Sequence, residues 1–256
     1  MNEVLLVTGG ASGIGAAVAG RFAASGGSVA IADIDAERGR AVADMVGALF
    51  MRADVASLDD NLALVDAVLA RYGRLDVVHL NAGMIGAASI GERFDLAAYR
   101  RVVNVNLDSV VFGIQAALPA LREAGGAIVV TASAAALRPS IEVFYSATKS
   151  AVIGLVRSFA PVLAADGVSI NALCPGIVDT PLIDSRRDAI TAAGVAVADV
   201  SLVAAAFDAV LAEGATGQAW LVMADRPVAP FEFADLPVPG ADRLSYRAGR
   251  IQVEPA

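Results

Sequence analysis

The sequence predicts one α/β domain in which a doubly wound parallel sheet lies between two layers of helices. Short apolar runs alternate with helical patterns through most of the chain, which is typical of parallel strands joined by crossover helices. The first apolar run, at residues 4–7, leads through a glycine-rich turn into an alanine-rich helical pattern. With 256 residues, 57% of them hydrophobic, the chain is large enough to build such a domain around one sheet.

The predicted elements follow one another in a regular order. We expect strands at residues 4–7, 28–32, 48–51, 75–80, 127–131, 168–173 and 217–222. Helical patterns cover residues 16–24, 36–46, 58–71 and 97–121, and one more helix carries Tyr145 and Lys149 to about residue 165. Ser57 and Asp60 have the spacing of a capping box at the start of the third helix. No repeat or linker interrupts the pattern, so we predict a single domain over residues 1–256.

Charge and composition argue against several classes of function. The net charge of −8 and the isoelectric point near 4.6 disfavour binding to nucleic acid or to an anionic membrane surface. Cys174 and His79 are the only residues of their types, which excludes an internal disulfide and disfavours a zinc site. We predict no metal, although carboxylates could hold one other than zinc. No apolar run approaches the roughly 20 residues of a membrane span, so we expect no membrane association and a cytoplasmic location.

The glycine-rich turn, Thr8-Gly9-Gly10-Ala11-Ser12-Gly13-Ile14-Gly15, has the properties of a phosphate-binding loop. Glycines let the backbone turn tightly and approach a ligand, and the following helix offers free N–H groups and a positive dipole end. Glycines at a strand–helix corner can also serve packing alone, and this turn by itself does not decide between the two.

Polar residues follow the ends of several predicted strands. Asp33, Asp54, Asn81, Ser133 and the Pro175-Gly176 pair all fall at the carboxyl edge of the sheet, where doubly wound proteins bind their ligands. Asp33 lies about 20 residues beyond the glycines, where an acidic side chain can accept hydrogen bonds from a ribose. Its alternatives are a helix N-cap or a solvated charge. No Lys or Arg lies in the glycine turn or next to Asp33, which favours NAD over NADP.

Tyr145 and Lys149 are four residues apart on one helix and therefore share a face. A free tyrosine has a pKa near 10, and a cation close by lowers that pKa and makes the hydroxyl a usable general acid or base. Ser133, after a neighbouring strand, could hydrogen-bond to a substrate oxygen. Each has an ordinary alternative, because Tyr–Lys pairs also occur on surfaces and serines also cap helices.

Together these motifs resemble the short-chain dehydrogenase/reductase family. The resemblance rests on Thr8 to Gly15, Asn81-Ala82-Gly83, Asn106, Ser133, the run from Tyr145 to Lys149, and Pro175-Gly176, and it covers roughly residues 4 to 182. It implies a Rossmann-type fold, hydride transfer between a nicotinamide and a carbinol carbon, and a homo-oligomer of two or four subunits.

The resemblance also implies a role for each site residue. Tyr145 is the general acid/base, Lys149 lowers its pKa and binds the nicotinamide ribose, Ser133 orients the substrate oxygen, and Asn106, preferred here to Asn104, holds a water in a proton relay. The cofactor residues implied are Gly9, Ser12, Gly13, Ile14, Gly15, Asp33, Asp54, Val55, Asn81, Ala82, Gly83, Tyr145, Lys149, Pro175, Gly176, Val178 and Thr180.

The same resemblance places the substrate pocket next to the nicotinamide, at Ala135, Ile141, Val143, Ile177 and Leu182. These residues are apolar, and burying a hydroxyl without a partner costs about 1–3 kcal/mol, so we expect an apolar secondary alcohol or ketone rather than a polyol. Alternatively, some of these side chains face the core or a subunit interface, and the chain end sets the polarity of the pocket.

Three further features receive ordinary interpretations from the sequence. His79 is expected to be a core histidine with satisfied hydrogen bonds. Cys174 is expected to serve packing, because nothing nearby is expected to activate it as a thiolate. The Arg186-Arg187 pair could meet an acidic substrate, but a solvated helix face is the preferred interpretation.

The chain departs from the family pattern toward its C-terminus. Residues 181–215 are expected to form a shortened substrate lid, and residues 226–256 an irregular tail rich in proline. The tail could fold over the active site, cross to another subunit or lack fixed structure. We therefore predict an NAD-dependent oxidoreductase of apolar secondary alcohols or ketones. The alternatives are an NADP-linked carbonyl reductase and a non-catalytic dinucleotide-binding sensor.

Overall fold

The computed structural model describes residues 2–86, 90–234, 244–247 and 250–253. Seven parallel strands form the centre of the domain: β1 (Val4–Thr8), β2 (Ser28–Asp33), β3 (Leu49–Arg52), β4 (Val77–Leu80), β5 (Ala127–Thr131), β6 (Ser169–Pro175) and β7 (Ala219–Val222). They are ordered β3-β2-β1-β4-β5-β6-β7, and the edge strand β8 (Ala229–Pro230) adds antiparallel to β7. The predicted doubly wound parallel sheet is therefore confirmed.

Helices cover both faces of this sheet. They are α1 (Gly13–Ala24), α2 (Ala36–Val46), α3 (Leu58–Tyr72), α4 (Leu96–Val103), α5 (Ser109–Ala124), α6 (Val143–Ala164), α7 (Arg187–Ala192) and α8 (Val200–Glu213). One apolar core lies between the sheet and α3, α5 and α6, and the other between the sheet and α1, α2 and α8. Central strands such as β1 are buried along their whole length, which explains their uninterrupted apolar sequences.

Local sequence signals explain several helix boundaries. The Ser57 side chain accepts a hydrogen bond from the backbone N–H of Asp60 at 3.1 Å, as the capping-box spacing predicts. Helices α2 and α3 end at Gly47 and Gly73, which adopt the left-handed conformation that glycine tolerates best. The expected helix over 97–121 is divided between α4 and α5 by a π-helical segment, Asn104–Asp108, that the sequence pattern did not indicate.

Two helical segments are long and apolar enough to span a membrane by length and composition alone. They are Leu96–Ala124, in which 44% of the most apolar window is buried, and Val143–Ala164, with 39%. The reason is their place in the fold, because α5 packs against α3 and α6 packs against β6 in the core of the domain. Packing in the core thus accounts for the buried share of their apolar residues.

The C-terminal third of the chain differs from the predicted lid and tail. The second half of the range 181–215 forms α8, a core helix that packs on α1. Only the first half of this range therefore lies beside the carboxyl edge of the sheet. The expected irregular tail contains β8 and an antiparallel hairpin of β9 (Leu244–Arg247) and β10 (Arg250–Val253). Phe233 joins the core on the α6 face, where Arg157 lies 4.2 Å from its ring centroid. The parts of the tail at 235–243, 248–249 and 254–256 lie outside the described residues.

Candidate active site

A cleft of about 1190 Å³ runs along the carboxyl edge of the sheet, where the strand order reverses between β1 and β4. Most of the predicted site residues line it. They are Gly9, Ser12, Gly13, Ile14, Asp33, Asp54, Val55, Asn81, Ala82, Gly83, Ser133, Ala135, Ile141, Tyr145, Lys149, Pro175, Gly176, Ile177, Val178, Thr180 and Leu182. The topology therefore brings together residues that are up to 173 positions apart, from Gly9 to Leu182.

Three predicted site residues lie elsewhere. Gly15 is buried beneath the glycine turn, where a Cβ atom would overlap the carbonyl oxygen of Gly9 and lie 2.7 Å from Asn81 Nδ2. Its place is thus in the packing of the turn and not on the cleft surface. Val143 begins α6 with a largely exposed side chain that does not line the cleft. Asn106 is fully buried in the π-helical segment.

The glycine turn leaves the start of α1 open toward the cleft. Ser12 is the N-cap of α1 but its side chain makes no capping hydrogen bond, and the first turn of the helix carries no acidic residue. Gly13 has a φ of 53° and Gly9 one of 66°, both in the left-handed region. A Cβ on Gly9 would lie 2.8 Å from Ala82 Cα, so the turn packs closely against the end of β4. Open N–H groups at this helix end suit a dinucleotide phosphate.

Asp33 accepts a backbone hydrogen bond at each carboxylate oxygen, and one of the two comes from the glycine turn. The backbone N–H of Ala11 donates to Oδ2 and that of Asp35 donates to Oδ1, each at 3.0 Å. Asp33 also lines the cleft, and each of its carboxylate oxygens can accept a second hydrogen bond, which suits hydroxyl donors. One part of the sequence interpretation was incomplete, because the sheet register places Arg52 of β3 directly opposite Asp33. Arg52 does not line the cleft.

A buried polar network ties the turn to β4 and β5. Asn81 Nδ2 donates to the carbonyl oxygens of Thr8 and Gly9, both at 3.1 Å, and Thr131 Oγ1 donates to Asn81 Oδ1 at 3.0 Å. Since the Thr131 hydroxyl has already given its proton, it must accept from His79 Nε2, which lies 2.9 Å away. His79 is therefore the neutral tautomer with its proton on Nε2.

His79 differs from the satisfied core histidine that the sequence predicts. Its side chain is fully buried, with its ring centroid 5.0 Å from that of Phe207, and its Nδ1 atom has no hydrogen-bond partner among the described residues. Burial disfavours the charged ring and lowers the pKa of His79 to about 3. The histidine is core, as expected, but only one of its two nitrogens is satisfied.

Helix α6 brings Tyr145 and Lys149 to the cleft beside Ser133, which follows β5. Lys149 Nζ is 5.9 Å from the Tyr145 ring centroid and donates to the carbonyl oxygen of Thr131 at 2.6 Å. Ser133 Oγ accepts from the backbone N–H of Ala135 at 3.1 Å, so the serine caps a short 3₁₀ turn and also faces the cleft. The Ser133 hydroxyl, the Tyr145 phenol and the Lys149 ammonium group thus lie on one wall of the cleft, which we call the catalytic wall.

Burial is the main influence on the pKa values of Tyr145 and Lys149. It raises the pKa of Tyr145, an effect that a hydrogen bond with Ser133 opposes in part. It also lowers the pKa of Lys149 to about 8. The expected lowering of the tyrosine pKa by the lysine is absent from the protein alone, because the ammonium group is directed to the Thr131 carbonyl and both groups are desolvated.

Cys174 also lies close to this wall, contrary to the expectation that no activating group is near it. The Ser133 backbone and the Lys149 charge both favour its thiolate, yet burial outweighs them and raises the pKa of the thiol to about 12. The packing interpretation therefore stands for a different reason: desolvation keeps the thiol protonated.

Asn106 anchors the segment after β4. Its Oδ1 accepts from the backbone N–H of Met84 at 2.8 Å, and its Nδ2 donates to the Met84 carbonyl at 2.9 Å and to Thr148 Oγ1 at 3.2 Å. Asn104, the alternative residue, is exposed and lines the cleft. The bonds of Asn106 fix the loop beside Lys149, and its water-holding role stays a prediction.

The neighbouring residues Arg186 and Arg187 lie in two different environments. Arg186 ends a 3₁₀ helix, Pro181–Arg186, lines the cleft, and pairs with Glu142 at 2.9 Å. Arg187 pairs with Asp179 at 2.7 Å and with Asp184 at 2.9 Å. The predicted solvated helix face is thus wrong for Arg186, because the chain turns it toward the N-terminus of α6.

Sequence reasoning missed the threonines that support this site. Thr8 Oγ1 accepts from the backbone N–H groups of Asn81 and Ala82, Thr131 supports Lys149 and Asn81, and Thr148 meets Asn106. Thr8 and Thr131 end strands, and Thr148 precedes Lys149. These positions were the sequence feature that could have identified them as supporting residues. Threonine is common in both settings, so position alone could not distinguish these from packing residues.

The family is decided by comparison with known proteins. The model of a family described as short chain dehydrogenase matches residues 3–191, which is most of the chain. The chain belongs to the short-chain dehydrogenase family. The family match includes the glycine turn, the Tyr145–Lys149 pair and the Pro175-Gly176 turn, and it ends before α8 and the C-terminal strands.

Three known proteins illustrate what this short-chain dehydrogenase is similar to. It is 38% identical over 190 residues to a 3beta-hydroxysteroid dehydrogenase of Mediterraneibacter gnavus, covering 72% of this chain and 68% of that protein. It is 39% identical over 188 residues to a cis-4-hydroxycyclohexanecarboxylate dehydrogenase of Sinomonas cyclohexanicum, covering 71% and 76%. A crystal structure of a 3-ketoacyl-(acyl-carrier-protein) reductase from Brucella melitensis complexed with NADH superposes with a TM-score of 0.80 at 31% identity, covering 88% and 98%. The chain is therefore an oxidoreductase of this family.

Proposed function

We propose that this short-chain dehydrogenase interconverts apolar secondary alcohols and ketones with NAD as the hydride carrier. The observation that carries the proposal is the wall formed by Ser133, Tyr145 and Lys149, which lies in the same cleft as the open N-terminus of α1. A proton donor beside a dinucleotide-sized cleft is what alcohol oxidation needs, and dinucleotide binding alone would not require it.

A bound nicotinamide dinucleotide would accept the hydride of an alcohol or supply one to a ketone. Tyr145 is the group that exchanges the hydroxyl proton, and Ser133 holds the same oxygen through its hydroxyl. During oxidation the carbinol O–H bond breaks and its proton passes to the Tyr145 oxygen; during reduction that proton returns to the alkoxide. Lys149 is close enough to stabilise the phenolate by its charge once the site is closed to water.

The raised pKa of Tyr145 bears on the direction of the reaction. A tyrosine that holds its proton at neutral pH is ready to act as the acid in ketone reduction. Alcohol oxidation needs the phenolate, which becomes more abundant as pH rises. We therefore expect reduction to be favoured kinetically near neutral pH and oxidation to accelerate in alkaline solution.

The cofactor preference in this proposal rests on Asp33. Its carboxylate lies at the end of β2, lines the cleft and can accept further hydrogen bonds, so hydroxyl groups of an adenosine ribose could donate to it. A 2′-phosphate in the same place would meet a like charge. Arg52, opposite Asp33, supports the alternative of NADP-linked reduction, because its guanidinium could pair with such a phosphate if the side chain turned toward the cleft.

The substrate class in this proposal follows from the far end of the cleft, whose lining includes Ala134, Ala135, Ile141, Ile177 and Leu182. Each buried methylene gains roughly 0.8 kcal/mol, whereas an unpaired hydroxyl is costly to bury. The names of the two similar proteins, which refer to a steroid and a substituted cyclohexane, support a ring alcohol.

The test is turnover by the full chain. The purified protein is mixed with NAD or NADP and with cyclohexanol, a 3β-hydroxysteroid or sorbitol, and nicotinamide absorbance is followed. Oxidation of the ring alcohols with NAD, lost in Tyr145→Phe, supports the proposal. Faster reaction with NADP favours the carbonyl reductase. Dinucleotide binding without any turnover would instead support the sensor.

A further inference from the structure

The charged residues around the cleft are mostly basic, in contrast to the chain as a whole. The chain has 19 basic and 27 acidic residues and a net charge of −8. The charged residues that line the cleft are instead five basic ones, Arg100, Arg101, Arg138, Lys149 and Arg186, and three acidic ones, Asp33, Asp54 and Glu142. A local excess of arginine in an acidic protein raises the local concentration of anions.

The two aspartates belong to the dinucleotide end of this lining. Asp33 accepts two backbone hydrogen bonds beneath the glycine turn, and Asp54 Oδ1 accepts from the backbone N–H of Ala56 at 3.0 Å. Asp33 ends β2 and Asp54 follows β3, so both carboxylates lie on the β2–β3 side of the sheet. Glu142, three residues before Tyr145, is therefore the remaining acidic residue of the cleft lining, and it lies near the catalytic wall.

The arginines come from segments that meet at the start of α6. Arg138 lies in the loop between Ser133 and α6, and Arg186 reaches Glu142, the residue that precedes α6. Helix α4, which carries Arg100 and Arg101, packs on α6 through the rings of Tyr99 and Phe144, whose centroids are 4.8 Å apart. These segments surround the end of the cleft that holds the catalytic tyrosine.

The charges at this end are not balanced within the described part of the chain. Glu142 pairs with Arg186, while Arg100, Arg101 and Arg138 have no ion pair or side-chain hydrogen bond there. Arg186 itself is only about two-fifths exposed, with a side-chain accessibility of 38%. Since these arginines line the cleft and lack a full set of acceptors, their guanidinium N–H groups are available to an anionic ligand there.

We propose that the substrate of this enzyme is a ring alcohol or ketone that also carries a carboxylate, which Arg138 and Arg186 bind. The inference rests on the proposed function, and it adds an anionic group to the apolar body that the rest of the pocket accepts. A guanidinium group matches a planar carboxylate with paired N–H donors, and the ion pair with Glu142 holds Arg186 beside the start of α6.

The test compares two substrates that differ only in charge, 4-hydroxycyclohexanecarboxylate and its carboxamide, with NAD at saturation. We expect kcat/KM to favour the carboxylate by about tenfold or more, since a hydrogen bond to a charged partner contributes at least that factor. Arg138→Gln and Arg186→Gln should each lower this carboxylate-to-carboxamide ratio about tenfold. Arg138→Lys, which keeps the charge but loses the planar fork, should lower it less.

The matched control is Arg122→Gln, which also removes one arginine from an ion pair. Arg122 pairs with Asp166 at 2.7 Å between the ends of α5 and α6, at the opposite edge of the sheet. This variant should leave the ratio unchanged. Equal turnover of both substrates, or equal losses for both in the arginine variants, would overturn the inference and leave the proposed function standing. Absence of turnover with every ring alcohol would overturn the proposed function and this inference with it.

Discussion

The two ends of the cleft are built in different ways. At the glycine-turn end, backbone groups and buried side chains hold one another: Asp33 supports Ala11, and Asn81 bonds to the carbonyls of Thr8 and Gly9. At the other end, the lining includes Ile141, whose side chain is 95% exposed, and Arg138, which is also exposed. The first end is preorganised, and the second depends on side chains that can be exchanged without disturbing the sheet.

This difference indicates which properties of the enzyme can vary independently. Changes at the glycine-turn end break hydrogen bonds that the fold itself uses, so cofactor binding and stability should change together. Changes at the substrate end should alter specificity with little effect on stability, because exposed side chains contribute little to folding. The Arg138 and Arg186 variants described above test the substrate end, and the four predictions below test the catalytic residues, the glycine-turn end and the core beneath it.

Tyr145→Phe should have the largest effect. The ring keeps its packing while the transferable proton is lost, so turnover should fall by about 10²–10⁴-fold with NAD affinity nearly unchanged. Lys149→Ala should impair both turnover and NAD binding, since Lys149 lines the cleft and also bonds to Thr131. Steady-state rates and cofactor titrations measure the two properties separately. Substantial activity in Tyr145→Phe would show that another group exchanges the proton.

The unmodified enzyme should prefer NAD over NADP by about 10²-fold. Two like charges near 4 Å repel by roughly 4 kcal/mol at an effective dielectric of about 20, and salt reduces this value. Asp33→Asn removes the charge and keeps one oxygen that can accept a backbone hydrogen bond, so it should narrow the preference to about tenfold or less. The readout is the ratio of kcat/KM for the two cofactors. Arg52→Ala tests the alternative: a large loss of activity with NADP alone would assign cofactor recognition to Arg52.

Gly15→Ala should weaken NAD binding about tenfold and lower the free energy of unfolding by about 1–3 kcal/mol. The added Cβ would overlap the Gly9 carbonyl oxygen and press on Asn81, so the turn must move. Gly154→Ala in α6 is the matched control, because a Cβ there meets no atom within 4 Å and alanine favours a helix by about 0.5–1 kcal/mol. Denaturant unfolding and cofactor titration of both variants check the prediction. Unchanged NAD affinity in Gly15→Ala would separate the packing of the turn from its binding role.

The last prediction concerns His79 and the decline of stability in acid, where the effect at neutral pH is absent and grows only as the pH falls. Its pKa is about 3 in the folded protein against 6.5 in the unfolded chain, so the unfolded state binds more protons between these values. Stability contributed by the neutral ring is therefore complete above pH 6.5 and declines as pH falls toward 3, by at most about 1.4 kcal/mol per pH unit.

The comparison variant is His79→Gln, which keeps an N–H donor for Thr131 but has no group that titrates. Its free energy of unfolding should decline less steeply than that of the unmodified protein between pH 6.5 and pH 4. Parallel profiles for the two proteins would show that His79 is not a source of the acid sensitivity.

The sequence by itself determined the sheet, the order of its elements and the family. Apolar runs mark strands that are buried on both faces, and such strands must be parallel and covered by helices, so periodicity was enough to predict the architecture. The positions of Asp33, Asn81 and Ser133 at strand ends then placed them at one edge. This inference needs only the direction of each strand, which is why it succeeded before any contact was known.

Only the tertiary structure decided what each side chain does there. The register of β2 against β3 put Arg52 opposite Asp33, and the fold of residues 181–186 turned Arg186 toward Glu142. Desolvation determined the direction of the pKa shifts of Tyr145, Lys149 and His79, and burial depends on the whole fold. Spacing along the chain carries no information about such long-range contacts, whereas a hydrophobic repeat is a local property that the sequence displays directly.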